Sequence, residues 1–106
     1  MIDRGIHLQL YITGETSRSE KAVINLQRIT EDIQGRRIET EIIDVLEDPD
    51  RAERDRILAT PTLVRRLPCP ERRIIGDLRD IQRVRRILGL EKLSETDEEE
   101  NDGSIG

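Results

Sequence analysis

Ala59-Thr60-Pro61-Thr62-Leu63 decides how the chain is read. Proline at 61 has a fixed φ and no amide hydrogen, so it can begin a strand but not lie inside one. Thr60, the residue before it, is pushed out of the helical region. A helix is therefore expected to end before Thr60, and a strand to start just after Pro61. Cis and trans both stay open for the Thr60–Pro61 bond, cis being the minority state of such bonds in general.

Upstream, Ile6, Leu8, Leu10 and Ile12 alternate with His7, Gln9, Tyr11 and Thr13. That is the period of a strand with one strongly apolar face. Gly14-Glu15-Thr16 turns the chain, and Ser17 to Glu20 fits a capping box with Ser17 as the cap. Val23, Leu26, Ile29 or Thr30, and Ile33 follow at helical spacing, with Gly35 as the expected stop. Ile38 to Val45 reads as a second strand, so the first half is a β-α-β unit with parallel strands and a right-handed crossover. Asp48-Pro49 opens a second helix. Its body, Asp50 to Ile57, is mostly charged, with Ala52 the main apolar residue, and its amphipathic character is weak.

Downstream, Thr62 to Leu67 and Arg72 to Gly76 pair as a hairpin across Pro68-Cys69-Pro70-Glu71. Asp77 or Asp80 caps a last helix, with Ile81, Val84, Ile87 and Leu88 as its stripe and Gly89 as its stop. The order β-α-β-α-β-β-α is an α/β arrangement of thioredoxin-like type. Residues 1–90 make one domain, and residues 91–106 an acidic tail expected to be disordered. In thioredoxin-like domains a Thr-Pro-Thr entry opens the second half, and the bond before the proline is cis.

Composition narrows the function classes. Tyr11 is the only aromatic residue, so the core must be built from Ile, Leu and Val, and no set of rings is present to stack on bases. Sixteen of the eighteen basic residues are Arg, whose planar forks suit carboxylate pairing at protein interfaces. Residues 91–106 hold seven acids and one Lys, a net charge of −6, whereas residues 1–90 carry a net +1. A near-neutral body without aromatic interleaving points away from nucleic acid. No apolar run approaches the roughly 20 residues of a membrane span, and the first residues lack a signal-peptide core. The expected location is cytoplasmic, with no membrane partner.

The chemistry is equally bounded. A thioredoxin reaction needs two cysteines two residues apart at the turn after the first strand. Here that turn reads Thr13-Gly14-Glu15-Thr16-Ser17-Arg18, and Cys69 is the only cysteine. One Cys and one His, His7, make a poor metal site. Gly14 lacks the Lys of a phosphate loop, and Asp77 lacks a partner carboxylate. No enzyme activity, catalytic residue, metal or cofactor is expected; the scaffold is used for binding.

Three stretches carry a family resemblance: Ile43-Asp44-Val45-Leu46-Glu47-Asp48-Pro49, Ile57-Leu58-Ala59-Thr60-Pro61-Thr62-Leu63, and Arg72-Arg73-Ile74-Ile75-Gly76-Asp77-Leu78. With Leu10-Tyr11-Ile12-Thr13-Gly14, they make residues 6–90 resemble the KaiB family of circadian clock proteins. The resemblance implies a non-enzymatic protein that binds the hexameric RecA-like ATPase KaiC and times its phosphorylation cycle. It also implies fold switching between two states. One is a homotetrameric or dimeric ground state with the same N-terminal β-α-β and a rearranged C-terminal half; the other is a thioredoxin-like monomer that binds the ATPase. Basic positions carried over, Arg56, Arg65, Arg66, Arg72 and Arg73, are expected to face the acidic ATPase surface. Thr60, Pro61, Gly76, Asp77 and Gly89 are the expected structural and switch positions.

The second strand departs from cyanobacterial members, with Glu41 in a more acidic strand after Arg36-Arg37. That points to a diverged member serving a clock or hourglass without KaiA. The alternative is a non-switching sensor or adaptor domain, similar to the N-terminal domain of the clock histidine kinase, and a sensor histidine kinase is a further candidate partner.

Overall fold

The computed structural model describes residues 5–31, 33 and 36–90. The elements run β1 (Ile6–Ile12), α1 (Ser17–Thr30), β2 (Ile38–Asp44), α2 (Pro49–Arg54), β3 (Thr62–Leu67), β4 (Arg72–Ile75) and α3 (Ile81–Leu88). They form a sheet in the order β2-β1-β3-β4. The β1–β2 pair is parallel, and β3 runs antiparallel to both β1 and β4. This is the expected thioredoxin-like order. The expected tail, 91–106, lies outside the described residues.

Local chemistry moves several boundaries. Thr16, not Ser17, caps α1, because Thr16 is extended and its hydroxyl accepts the Ser19 amide at 3.2 Å, while Ser17 is already helical. Buried Ser19 is tied to the end of β1, its Oγ accepting the Thr13 amide at 3.1 Å. Helix α1 stops at Thr30, whose hydroxyl bonds back to the Leu26 carbonyl at 3.1 Å. Gly35, the expected stop, lies outside the described residues, and Ile33 packs against the core from beyond the helix. β2 ends at Asp44, although the Val45 amide still donates to the Ile12 carbonyl at 2.9 Å.

Asp48 caps α2 and Pro49 opens it, as expected, but the helix stops at Arg54. Arg56 adopts a left-handed φ of 54°, and the chain turns back so that the Ile57 amide reaches the Ala52 carbonyl at 2.9 Å. A positive φ at a non-glycine residue gave no signal in the sequence. Asp80 caps α3, and Gly89 ends it at φ 74°. Asp77 instead accepts the Arg79 amide at 3.2 Å. The Thr60–Pro61 bond is cis, as are Leu67–Pro68 and Cys69–Pro70.

The main core lies between one face of the sheet and helices α1 and α3. Ile6, Leu8 and Leu10 of β1 meet Leu26 and Ile29 of α1 and Val84 and Leu88 of α3. Burying each such side chain contributes about 1.5–3 kcal/mol. The strongly apolar face expected on β1 is this one. The second face of β1 is also closed: Tyr11 is fully buried with Val64 and Ile43, and Ile57 and Val45 pack against them. The residues that close it follow α2 and β2, so strand alternation alone did not show the cover.

Candidate interaction face

The five arginines do not form one patch. Successive side chains of a strand point to opposite faces. Arg65 and Arg72 are register partners on the α1/α3 side, whereas Arg73 pairs with Val64 on the Tyr11 side, which Arg66 shares.

Arg65 is buried and donates to the Leu88 carbonyl at 2.8 Å and the Pro70 carbonyl at 2.7 Å. Burial lowers its pKa, and the like charges of Arg72 and Arg36 lower it further. Arg66 and Arg73 are committed to a polar network on the opposite face. Arg66 pairs with Asp55 at 2.7 Å and Glu71 at 2.7 Å, and donates to Gln9 at 2.6 Å. Arg73 pairs with Glu71 at 2.8 Å and closes the end of α2, donating to the Asp55 carbonyl at 2.7 Å and the Arg56 carbonyl at 3.2 Å. The Tyr11 hydroxyl donates to Asp55. Gln9 reaches Glu41, which Arg51 holds through two bonds of 2.8 Å.

This network joins β1, β2, α2 and the β3–β4 hairpin. Its charges set the pKa directions. Burial pushes Asp55 up, but Tyr11 and Arg66 outweigh it and hold the carboxyl below its ordinary value. Hydrogen bonds from Arg73, joined by Arg66, lower Glu71, and those from Arg51 lower Glu41. Burial and the Asp55 carboxylate raise Tyr11. Tyr11, Gln9, Glu41, Arg51, Asp55 and Glu71 do not stand out in the sequence as a site; the one available signal is a lone aromatic residue on a strand facing a charged helix.

Arg56 and Arg72 differ from the other three. Both are exposed, and neither makes an ion pair among the described residues. The surface also carries exposed apolar side chains: Leu58, two residues after Arg56, is 94% exposed, and Ile75, on the face of Arg73, is 68% exposed.

The switch positions are tied as follows. Thr60 and Thr13 hydroxyls meet at 2.5 Å, and the Gly76 amide, at φ 124°, donates to the Pro61 carbonyl at 2.9 Å. The Asp77 carbonyl accepts from Asn25 of α1 at 2.8 Å. Gly89 faces the Arg65 guanidinium, and a Cβ added there would stand 3.4 Å from that group. Cys69 is exposed. Among the described residues no group of three metal-ligating side chains forms, and no helix is long and apolar enough to cross a membrane.

Comparison with solved structures supports the fold. The N-terminal domain of Synechococcus elongatus SasA superposes with a TM-score of 0.69 at 20% identity, covering 86% of this chain and 90% of that one. Mitochondrial thioredoxin 3 of Saccharomyces cerevisiae gives 0.66 at 16% identity, covering 82% and 80%. Sequence comparison goes further. Circadian clock protein KaiB3 of Synechocystis sp. is 48% identical over 90 residues, covering 85% of this chain and 86% of that protein. The circadian clock oscillator protein KaiB of Prochlorococcus marinus strain SARG is 48% identical over 95 residues, covering 85% and 79%. The KaiB domain model matches residues 9–90, nearly all of the described fold, and the chain belongs to the KaiB family.

Proposed function

We propose that the chain is a non-catalytic clock or hourglass protein. It docks on a KaiC-type RecA-like ATPase ring and modulates that ring's phosphorylation cycle. The observation that carries this is the family match over residues 9–90, with named clock proteins among its relatives. The turn where a thioredoxin places its cysteines has none here, so the fold is used as a binding surface. Arg56 and Arg72, exposed and without an ion pair among the described residues, supply guanidinium groups for an acidic partner surface, Arg72 from the α1/α3 side of the hairpin.

Fold switching belongs to the same proposal. Helix α2 has six residues and buries only Ala52, and its C-terminal end is attached to the hairpin by the Arg66–Asp55 ion pair and by Arg73 hydrogen bonds to the Asp55 and Arg56 carbonyls. These polar contacts hold the end of α2 where a packed apolar seam would otherwise be needed. The C-terminal half is therefore the part that rearranges in a homotetrameric ground state, while the β1-α1-β2 half persists. A sensor histidine kinase is a further partner on this reading.

The test is binding of the full chain to the ATPase ring, with Arg56→Glu and Arg72→Glu variants. Each should weaken binding at least about tenfold, equal to about 1.4 kcal/mol, because a like charge then meets an acidic surface. Wild-type affinity in both variants at low salt would remove both arginines from the interface. A second reading, a non-switching adaptor domain, has the thioredoxin-like arrangement itself in its favour. A monomer at every concentration that never binds the ring would support it.

A further inference from the structure

Arg36, Arg65 and Arg72 converge on the C-terminal end of α3. Arg65 bonds to the Leu88 carbonyl at 2.8 Å and Arg36 to the adjacent Gly89 carbonyl at 3.4 Å. Arg72 stands opposite Arg65 in the β3–β4 register. None of the three forms an ion pair among the described residues, although Arg37, Arg51, Arg66, Arg73 and Arg79 all do. Arg65 is 7% exposed, and its Nε is a buried nitrogen left without an acceptor. Gathering guanidinium groups without a carboxylate is unfavourable, and helix-end carbonyls offset only part of a charge each. Among the described residues the cluster has no anion.

The sequence supplies one next door. Leu90 is fully buried, and its amide is fixed to the Arg85 carbonyl at 2.8 Å, so the segment that follows starts beside the cluster. Residues 91–106 hold Glu91, Glu95, Asp97, Glu98, Glu99, Glu100 and Asp102. A segment spans up to about 3.3–3.6 Å per residue, so acids a few positions past Leu90 reach Arg36 and Arg72. Tethering holds their effective concentration in the millimolar range or above.

We propose that Arg36, Arg65 and Arg72 form a docking site for the acidic segment 91–106 of the same chain. Carboxylates of the segment pair with Arg36 and Arg72 and neutralise the field around Arg65. The docked segment then covers one exposed basic side chain, Arg72, and any acidic molecule reaching that side must displace it. The docking itself does not depend on the identity of the clock partner.

The test uses the full chain with Cys69→Ser and Ser104→Cys, the new thiol carrying a nitroxide, and reads paramagnetic broadening of backbone amides. The expected broadening concentrates at Arg36, Arg72 and Gly89. It falls to the level of other sites equally far from Leu90 in two cases: when Asp97, Glu98, Glu99 and Glu100 are changed to their amides, and in about 0.5 M salt, where the Debye length is about 4 Å. Arg36→Gln with Arg72→Gln should have the same effect, and it spares buried Arg65 so that the fold persists. Broadening that declines smoothly with distance from Leu90 and ignores both sets of substitutions would overturn the proposal. So would broadening seen only between spin-labelled chains and separate isotope-labelled ones, since the segment would then dock on another copy.

Discussion

Tyr11 shows how much one side chain can hold. Its ring fills the smaller core cluster, and its hydroxyl donates to Asp55, which also pairs with Arg66. Tyr11→Phe keeps the ring and removes the donor. A hydrogen bond to a charged group contributes about 1.5–3 kcal/mol, and Arg66 remains, so a loss near 1.5 kcal/mol is expected in urea unfolding. A loss below about 0.5 kcal/mol, the size expected of an ordinary surface change, would mean the hydroxyl contributes nothing to the fold. The same scale shows where sequence pattern stops. Alternation puts Arg65 and Arg66 on opposite faces whatever the register. It does not say that Arg65 lies under the end of α3, because that needs the long-range placement of Leu88. Nor does a run of arginines reveal which ones already have carboxylates.

At the scale of elements, α2 is the weak member. It is held at its start by the Asp48 cap, at 3.3 Å from the Arg51 amide, and at its end by the Arg73 fork. Asp48→Ala should cost about 1 kcal/mol, the usual effect of a lost N-cap. Arg73→Ala removes the fork and one partner of Glu71. Amide hydrogen exchange at Asp55 and Ile57 should then speed up while that of Leu10 in β1 stays slow. Uniform acceleration across the chain would show that α2 and the hairpin open only with the whole domain. Element order was legible because strand alternation, the Asp48-Pro49 and Asp80 starts and the Gly89 stop are local signals. Boundaries set by Thr16, Thr30 and Arg56 were less so. Two depend on hydroxyl bonds available at neighbouring Ser or Thr residues, and the third on a left-handed arginine.

At the scale of the molecule, the sheet has an apolar side closed by α1 and α3 and a mixed side closed by α2 and an ion network. Glu41, Asp55 and Glu71 all sit below their ordinary pKa values. Their folded forms bind protons less readily than the unfolded chain does. The stability they contribute is present above the ordinary carboxylate range, about pH 4, and is lost as the pH falls through the lower folded values. The urea midpoint should be nearly flat from about pH 7 to 5 and drop below about pH 4, with a smaller drop in Asp55→Asn. A midpoint unchanged across that acid range would show that the network holds no net stability. The fold class and the family were readable from the sequence because Ala59 to Leu63 and Arg72 to Leu78 are contiguous. The mixed side was not, because its members come from five separated elements and only the folded chain brings them together.

The most direct measurement is sedimentation of the full chain with the KaiC-type ATPase ring of its own organism, over several hours and at several salt concentrations. The expected result is co-sedimentation that weakens with salt and is lost in the Arg56→Glu/Arg72→Glu double variant, which keeps its helix and strand content. A folded chain that sediments apart from the ring under every condition would contradict the proposed function.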